Sequence, residues 1–215
     1  KQEEGEETGH KETCRRIPWN PVSYYTITRS KSHPETVGKN FEQAAQILGM
    51  EDPWEAVRRI YLADEGDTSV SLGRMREADY KQILLKPFSA ISTDGRALDK
   101  PLALHPRNYG TYPKVLGKYV RDEEELPLED AIRKMTSLPA QFLGLSNRGV
   151  IREGAWADIV IFDPQKIRNM ASYESPCEDP EGIKYVIVNG TLSIKNGEYT
   201  GELAGKVLQN PNRDN

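Results

Sequence analysis

The chain has 215 residues, 37% of them hydrophobic and 29% charged, with a formal net charge of -4 at pH 7 and a mean hydropathy of -0.68. No run approaches the ~20 apolar residues a membrane span needs, and a pI near 5.6 argues against a general nucleic-acid binder, which carries a basic face. Apolar clusters recur along most of the chain, which argues against wholesale disorder, and the length suits one large domain or two small ones.

Residues 1–21 form a polar tail with Ile17 and Trp19 its large apolar groups. It opens KQEEGEETGHKET, acidic and without the apolar stretch of a secretory signal. It also starts without Met, which suggests upstream sequence. His10 and Cys14 are four apart, a spacing that would put two metal ligands on one helical face. The same spacing arises readily by chance. Cys14 and Cys177 are too few for a disulfide framework and fit a reducing, cytoplasmic setting.

Tyr24 to Thr28 reads YYTIT, aromatic and β-branched, which predicts a strand. After the loop RSKSHPETVGKN, the spacing of Phe41, Ala44, Ala45, Ile47 and Leu48 predicts a helix ending at Gly49. Asp52-Pro53-Trp54-Glu55 is a helix start, with an Asp cap, Pro in the first turn and Glu three residues on. Trp54, Val57, Ile60 and Tyr61 are its expected apolar face. A second strand is expected over Thr68 to Leu72. A helix is expected over Glu77 to Leu85, with Ala78, Ile83 and Leu84 turned inward.

The stretch FSAISTDG, residues 88–95, reads as a short strand ending in Asp94 and Gly95. Helices are expected over Lys114 to Val120 and Pro127 to Met135. The helix-then-strand order points to an α/β fold. After Pro139 the character changes. GVIREGAWADIVIFDP, residues 149–164, reads as a turn and a strand. IKYVIVNGTLSIKNGEY, residues 183–199, reads as a hairpin whose Asn189-Gly190 pair suits a primed turn. Trp156 is expected in the core, and the charge run RDEEEL, residues 121–126, on a solvated face. The chain divides near residue 145 into an α/β part and a small β part.

Asp94 stands out chemically. At the C-terminal end of a strand in an α/β fold, a carboxylate sits where catalytic groups gather, and it can ligate a metal or take a proton from bound water. The plain alternative is an ordinary Asp-Gly turn. Ten residues after Gly95 comes His105-Pro106-Arg107, then NYGTYP. The guanidinium fork of Arg107 suits a substrate carboxylate; the alternative is a surface Arg on a loop. Ser30 and His33 lack the elbow motif of a nucleophilic Ser, so a polar loop that contacts substrate is the more modest option. Arg29 and Lys31 would favour an acidic substrate, or form a surface pair.

The GVIREGAWADIVIFDP segment resembles the C-terminal segment of the amidohydrolase superfamily, where it returns the chain from a catalytic barrel into a small β-sandwich. STDG, HPRNYGTYPKVLGKYV and AIRKMTSLPAQFLGL, with ITRSKSHPE and the closing YVIVNG, are similar to the N-acyl-D-amino-acid deacylases, or D-aminoacylases. The resemblance runs from about Tyr24 to Leu208. It implies the C-terminal part of a metal-dependent (β/α)₈ barrel over 22–145, with a helical, lid-like insertion over about 31–85, and part of a β-sandwich over 146–215. It also implies that Asp94 is the general acid/base at a zinc centre and that Arg107 holds the substrate carboxylate. Tyr25 and Ser30 would contact the bound amino acid, and His105, in the same motif as Arg107, would support the substrate-binding group.

The implied reaction is zinc-assisted hydrolysis of an N-acyl-D-amino acid. The family's H-x-H pair, metal-binding cysteine and two further histidines are not in this chain, which has three His in all. The expectation is therefore a C-terminal portion, inert alone, whose partner is a missing N-terminal barrel segment, with no nucleic acid and no membrane. Two other readings stand beside it, the second of a different class. One is an amidohydrolase acting on cyclic amides, like hydantoinases and dihydroorotases, against which HPR-NYGTYP speaks. The other is a non-catalytic interaction domain.

Overall fold

The computed structural model describes residues 21–73, 76–96 and 105–209. The polar tail with His10 and Cys14 lies outside the described residues. The fold is α/β, and the chain divides into two compact units, residues 1–76 and 77–215.

In the first unit, β1 (Tyr25–Arg29) pairs antiparallel with β2 (Ser69–Leu72), and between them run α1 (Phe41–Ile47) and α2 (Pro53–Ala63). The starts of both helices follow from sequence. Asn40 and Gln43 exchange side-chain-to-backbone hydrogen bonds in a capping box. The Asp52 carboxylate accepts from the Trp54 N–H at 2.9 Å, and Pro53 loses nothing in the first turn. Glu55 does not complete a second box; it pairs with Arg58 instead. Ile27, Phe41, Ala44 and Ile60 form the core. Trp54 packs edge-on to Tyr25 and Phe41, while Tyr61 is 51% exposed rather than inward.

In the second unit, α3 (Glu77–Leu84) is followed by an irregular stretch carrying Asp94. Then come α4 (Arg107–Lys114), which runs on as a π-helix over Val115–Asp122, α5 (Leu128–Met135) and α6 (Ser137–Phe142). β3 (Ile159–Phe162), β4 (Ile183–Val188), β5 (Thr191–Lys195) and β6 (Glu198–Tyr199) make an antiparallel four-stranded sheet in chain order. Asn189 and Gly190 both have positive φ, 49° and 82°, as a primed turn between β4 and β5 requires. The change of character near residue 145 is therefore the change from helices to sheet within this unit. Val115, Leu116, Tyr119, Leu126, Ala131 and Ile167 form the core.

Five expectations are corrected here, each for a packing reason. Residues 88–95 form no strand: Ile91 gives its N–H to the Lys134 carbonyl of α5 at 3.0 Å, not to a neighbouring strand. The helix expected over Lys114 to Val120 starts earlier, at Arg107, so that NYGTYP is the body of α4, and Gly117 in the π-helical part lets the Ile167 carbonyl approach to where a Cβ would stand 2.6 Å away. In α3, Tyr80 and Leu84 pack on the core, whereas Ala78 is exposed and Ile83 is 54% exposed. Trp156 is 43% exposed and is covered by cations, with the Arg148 guanidinium and Lys206 Nζ each 5.0 Å from its ring. The run 121–126 is solvated only in part. Leu126 is buried, and Glu123 and Glu125 both bind Lys81.

Candidate functional site

Asp94 lies in the irregular stretch before α4, not at a strand end. Its φ is +47°, a left-handed conformation that Asp tolerates better than most residues. Two side chains pin the turn around it. Thr93 Oγ1 accepts the Gly95 N–H at 2.9 Å, and Asn108 Oδ1 accepts the Arg96 N–H at 2.8 Å. The turn faces the start of α4, where Arg107 Nη1 meets Asp94 Oδ2 at 2.9 Å. The Asp94 side chain is 87% exposed, and that of Arg107 39%. An exposed pair of this kind stabilises by at most about 1 kcal/mol. Arg107 can therefore exchange this carboxylate for another at small cost.

His105 is held from both sides. Its Nδ1 accepts the Arg107 N–H at 3.1 Å, which puts the proton of the neutral ring on Nε2, facing the Tyr173 hydroxyl at 3.3 Å. The two rings meet edge-on at 5.1 Å. Burial pushes the imidazole pKa down, the Arg107 charge pushes it further, and Asp94 opposes both. The ring is thus a neutral bracket for the start of α4. Tyr173 was not indicated by the sequence, because it lies 68 residues away in a segment without a motif.

Lys134 was not singled out by its sequence pattern either. Its side chain is fully buried, with Nζ donating to the carbonyls of Lys86 and Ser89 and lying 3.7 Å from Asp130. Together with the bond from Ile91 N–H to the Lys134 carbonyl, it ties the stretch leading to Asp94 onto α5. Helical periodicity marks a Lys as outward, and only an i,i+4 carboxylate such as Asp130 hinted at a partner.

Tyr25 and Ser30 lie in the other unit. The Tyr25 ring stacks on Phe41 at 5.0 Å. Ser30 is buried, and its hydroxyl accepts the His33 N–H at 3.0 Å. The loop holding it wraps the Asp64 carboxylate, which accepts from the N–H groups of Lys31 and Ser32 and from the Thr68 hydroxyl. Arg29 and Lys31 both pair with Asp67. They form a local ion cluster in which each cation already has an anion.

Among the described residues, no group of three or more His, Cys, Asp or Glu side chains is arranged to hold a metal ion. Asp94 offers a single carboxylate, well short of the three or four protein ligands a zinc site takes. No helix among the described residues is long and apolar enough to cross a membrane.

Residues 90–194 match the Amidohydrolase family. The chain is 38% identical over 183 residues to N-acyl-D-aspartate deacylase of Alcaligenes xylosoxydans xylosoxydans, covering 85% of this chain and 35% of that protein. It is 37% identical over 182 residues to D-aminoacylase of the same organism, covering 85% and 36%. A solved structure of D-aminoacylase superposes with a TM-score of 0.68 at 36% identity, over 85% of this chain and 37% of that one. N-acyl-D-glutamate deacylase from Bordetella bronchiseptica, solved with zinc and a phosphonate inhibitor, gives 0.63 at 34% identity, over 80% and 34%. The chain thus spans about a third of the length of the curated relatives it matches.

Proposed function

We propose, for a chain related over 85% of its length to N-acyl-D-aspartate deacylase and D-aminoacylase, that it supplies one portion of an amidohydrolase that splits N-acyl-D-amino acids into a carboxylate and a D-amino acid. The observation that carries this reading is the pairing of Asp94 with Arg107 at 2.9 Å, inside the matched 90–194 segment. A base and a carboxylate anchor side by side are what a linear amide with a free α-carboxylate requires.

In this reading Asp94 takes a proton from the attacking water and returns it to the departing amine. Arg107 leaves Asp94 to grip the substrate carboxylate, which sets the scissile carbonyl against the base. His105, clamped between the Arg107 N–H and Tyr173, holds the start of α4. Tyr25 and Ser30 are assigned to contacts with the bound amino acid, and residues of about 31–85 form an insertion. The helices and the Asp94 stretch, residues 22–145, form part of a (β/α)₈ barrel, and the four-stranded sheet, within 146–215, forms part of a small β-sandwich. Two cysteines in 215 residues fit a cytoplasmic setting.

Zinc is the metal that the Bordetella deacylase holds. The donors described here do not make a zinc site by themselves. Asp94 would contribute one oxygen, with the other ligands coming from the rest of the enzyme.

The test is co-production of this chain with the part of the Alcaligenes N-acyl-D-aspartate deacylase that it does not match. The expected result is zinc-dependent release of D-amino acid from N-acetyl-D-amino acids, abolished by Asp94→Asn. An assembled, zinc-loaded complex that hydrolyses cyclic ureides and leaves acyl-D-amino acids untouched would overturn the reading.

A further inference from the structure

We propose that Asn108 is a positioning residue that aims the Asp94 carboxylate, a role that rests on the reading of Asp94 as the base. Arg107 and Asn108 are consecutive in the first turn of α4, and they hold the same turn from two directions. Arg107 Nη1 takes the Asp94 carboxylate at 2.9 Å, and Asn108 Oδ1 takes the Arg96 N–H, two residues on, at 2.8 Å.

The side chain does not serve its own helix. The residue preceding α4 is Pro106, and no side-chain cap closes that end. Asn108 instead reaches out to the 93–96 turn, and the fit is close. A Cβ on Gly95 would stand 3.0 Å from Asn108 Oδ1 and 3.5 Å from Asn108 Cα. Thr93 Oγ1 closes the turn from the other side.

The physical need for such a clamp follows from exposure and conformation. Asp94 is 87% exposed, so packing does not orient its side chain. Its positive φ belongs to a narrow region that a free chain leaves readily. Once Arg107 turns to a substrate carboxylate, the contact with Asp94 Oδ2 is gone. The Asn108 bond to Arg96 and the Thr93 bond to Gly95 then hold the backbone under the base. Asn108 thus acts on the rate of the chemical step through Asp94, with no contact to substrate.

The experiment has two arms. In the 215-residue chain, amide hydrogen exchange of Arg96 is followed by NMR. Asn108→Ala is expected to accelerate it at least about tenfold, whereas Asn108→Asp, which keeps the acceptor oxygen, leaves it protected. In the complex with the complementary deacylase portion, Asn108→Ala is expected to lower kcat ~10- to 100-fold and to leave KM within about threefold. Asn108→Asp is expected to recover most of the loss. Unchanged Arg96 exchange in Asn108→Ala overturns the proposal without any activity measurement. Full kcat in Asn108→Ala beside an inert Asp94→Asn overturns it too and leaves the deacylase reading standing. Full kcat in Asp94→Asn overturns the role of Asp94 itself.

Discussion

The buried Lys134 ammonium donates to the Ser89 carbonyl at 3.3 Å and also to that of Lys86, so a cation of α5 fastens the stretch that ends at Asp94. Replacing it with Met keeps the length of the side chain but takes the charged donor from two part-buried carbonyls, leaving that of Lys86 only the Ser89 N–H at 3.1 Å. Lys134→Met is expected to destabilise the chain by about 2–3 kcal/mol, read as a lowered urea midpoint with an unchanged slope. A variant as stable as the parent would mean that the strap contributes nothing.

Gly182 is squeezed against Ile167 just before β4. A Cβ there would stand 2.5 Å from the backbone N and Cα of Ile167, and the residue has a φ of +87°. Clash and backbone strain add, since neither partner is a side-chain tip that can swing away. Gly182→Ala is expected to cost more than about 2 kcal/mol in thermal or urea unfolding, whereas Gly154→Ala, which meets nothing within 4 Å, costs less.

Asp64 sets the acid stability of the first unit. Burial alone would raise its pKa, but the hydrogen bonds from Ser32, Thr68 and Ser30 together outweigh it and hold the carboxyl well below the usual carboxylate range. A depressed folded pKa stabilises above the ordinary value of 3.8 and is lost as pH falls below it, because the unfolded chain takes up the proton first. Urea unfolding followed at Trp54 should therefore weaken steadily below that pH, and Asp64→Asn should flatten this dependence. An identical acid slope in the variant would remove Asp64 as the cause.

The planar fork of Arg107 is matched to a carboxylate in a way that an ammonium is not. In the complex with the complementary deacylase portion, Arg107→Lys is expected to raise KM for an N-acyl-D-amino acid by ~10-fold or more, corresponding to about 1.4 kcal/mol or more of binding. Amides without the α-carboxylate should be affected little. Equal losses on both substrates would place Arg107 outside the anchor.

Metal content gives a separate check. Among the described residues no group of three or more donors is arranged to hold a metal, and the whole chain has three His, so the purified chain, dialysed against buffer without chelator, is expected to retain zinc far below one equivalent. Tight binding of one zinc per chain would show that a full ligand set is present after all.

Local chemistry was legible in the sequence wherever neighbouring residues decide the outcome. Asp52 starts its helix as a side-chain acceptor for a free N–H of the first turn. Asn189-Gly190 turns the β4–β5 hairpin because both positions need positive φ. Asp94 and Arg107 stood out by motif, and they lie 2.9 Å apart.

Other features depended on partners distant in sequence. Whether 88–95 is a strand depends on a neighbour to complete its ladder, and Lys134 takes that backbone bond instead. The burial of Lys134, the cations over Trp156 and the clasp of His105 by Tyr173 follow from contacts across tens of residues. Periodicity reads one element's own faces, while the energy of burying a charge or a ring is set by what the fold brings against it.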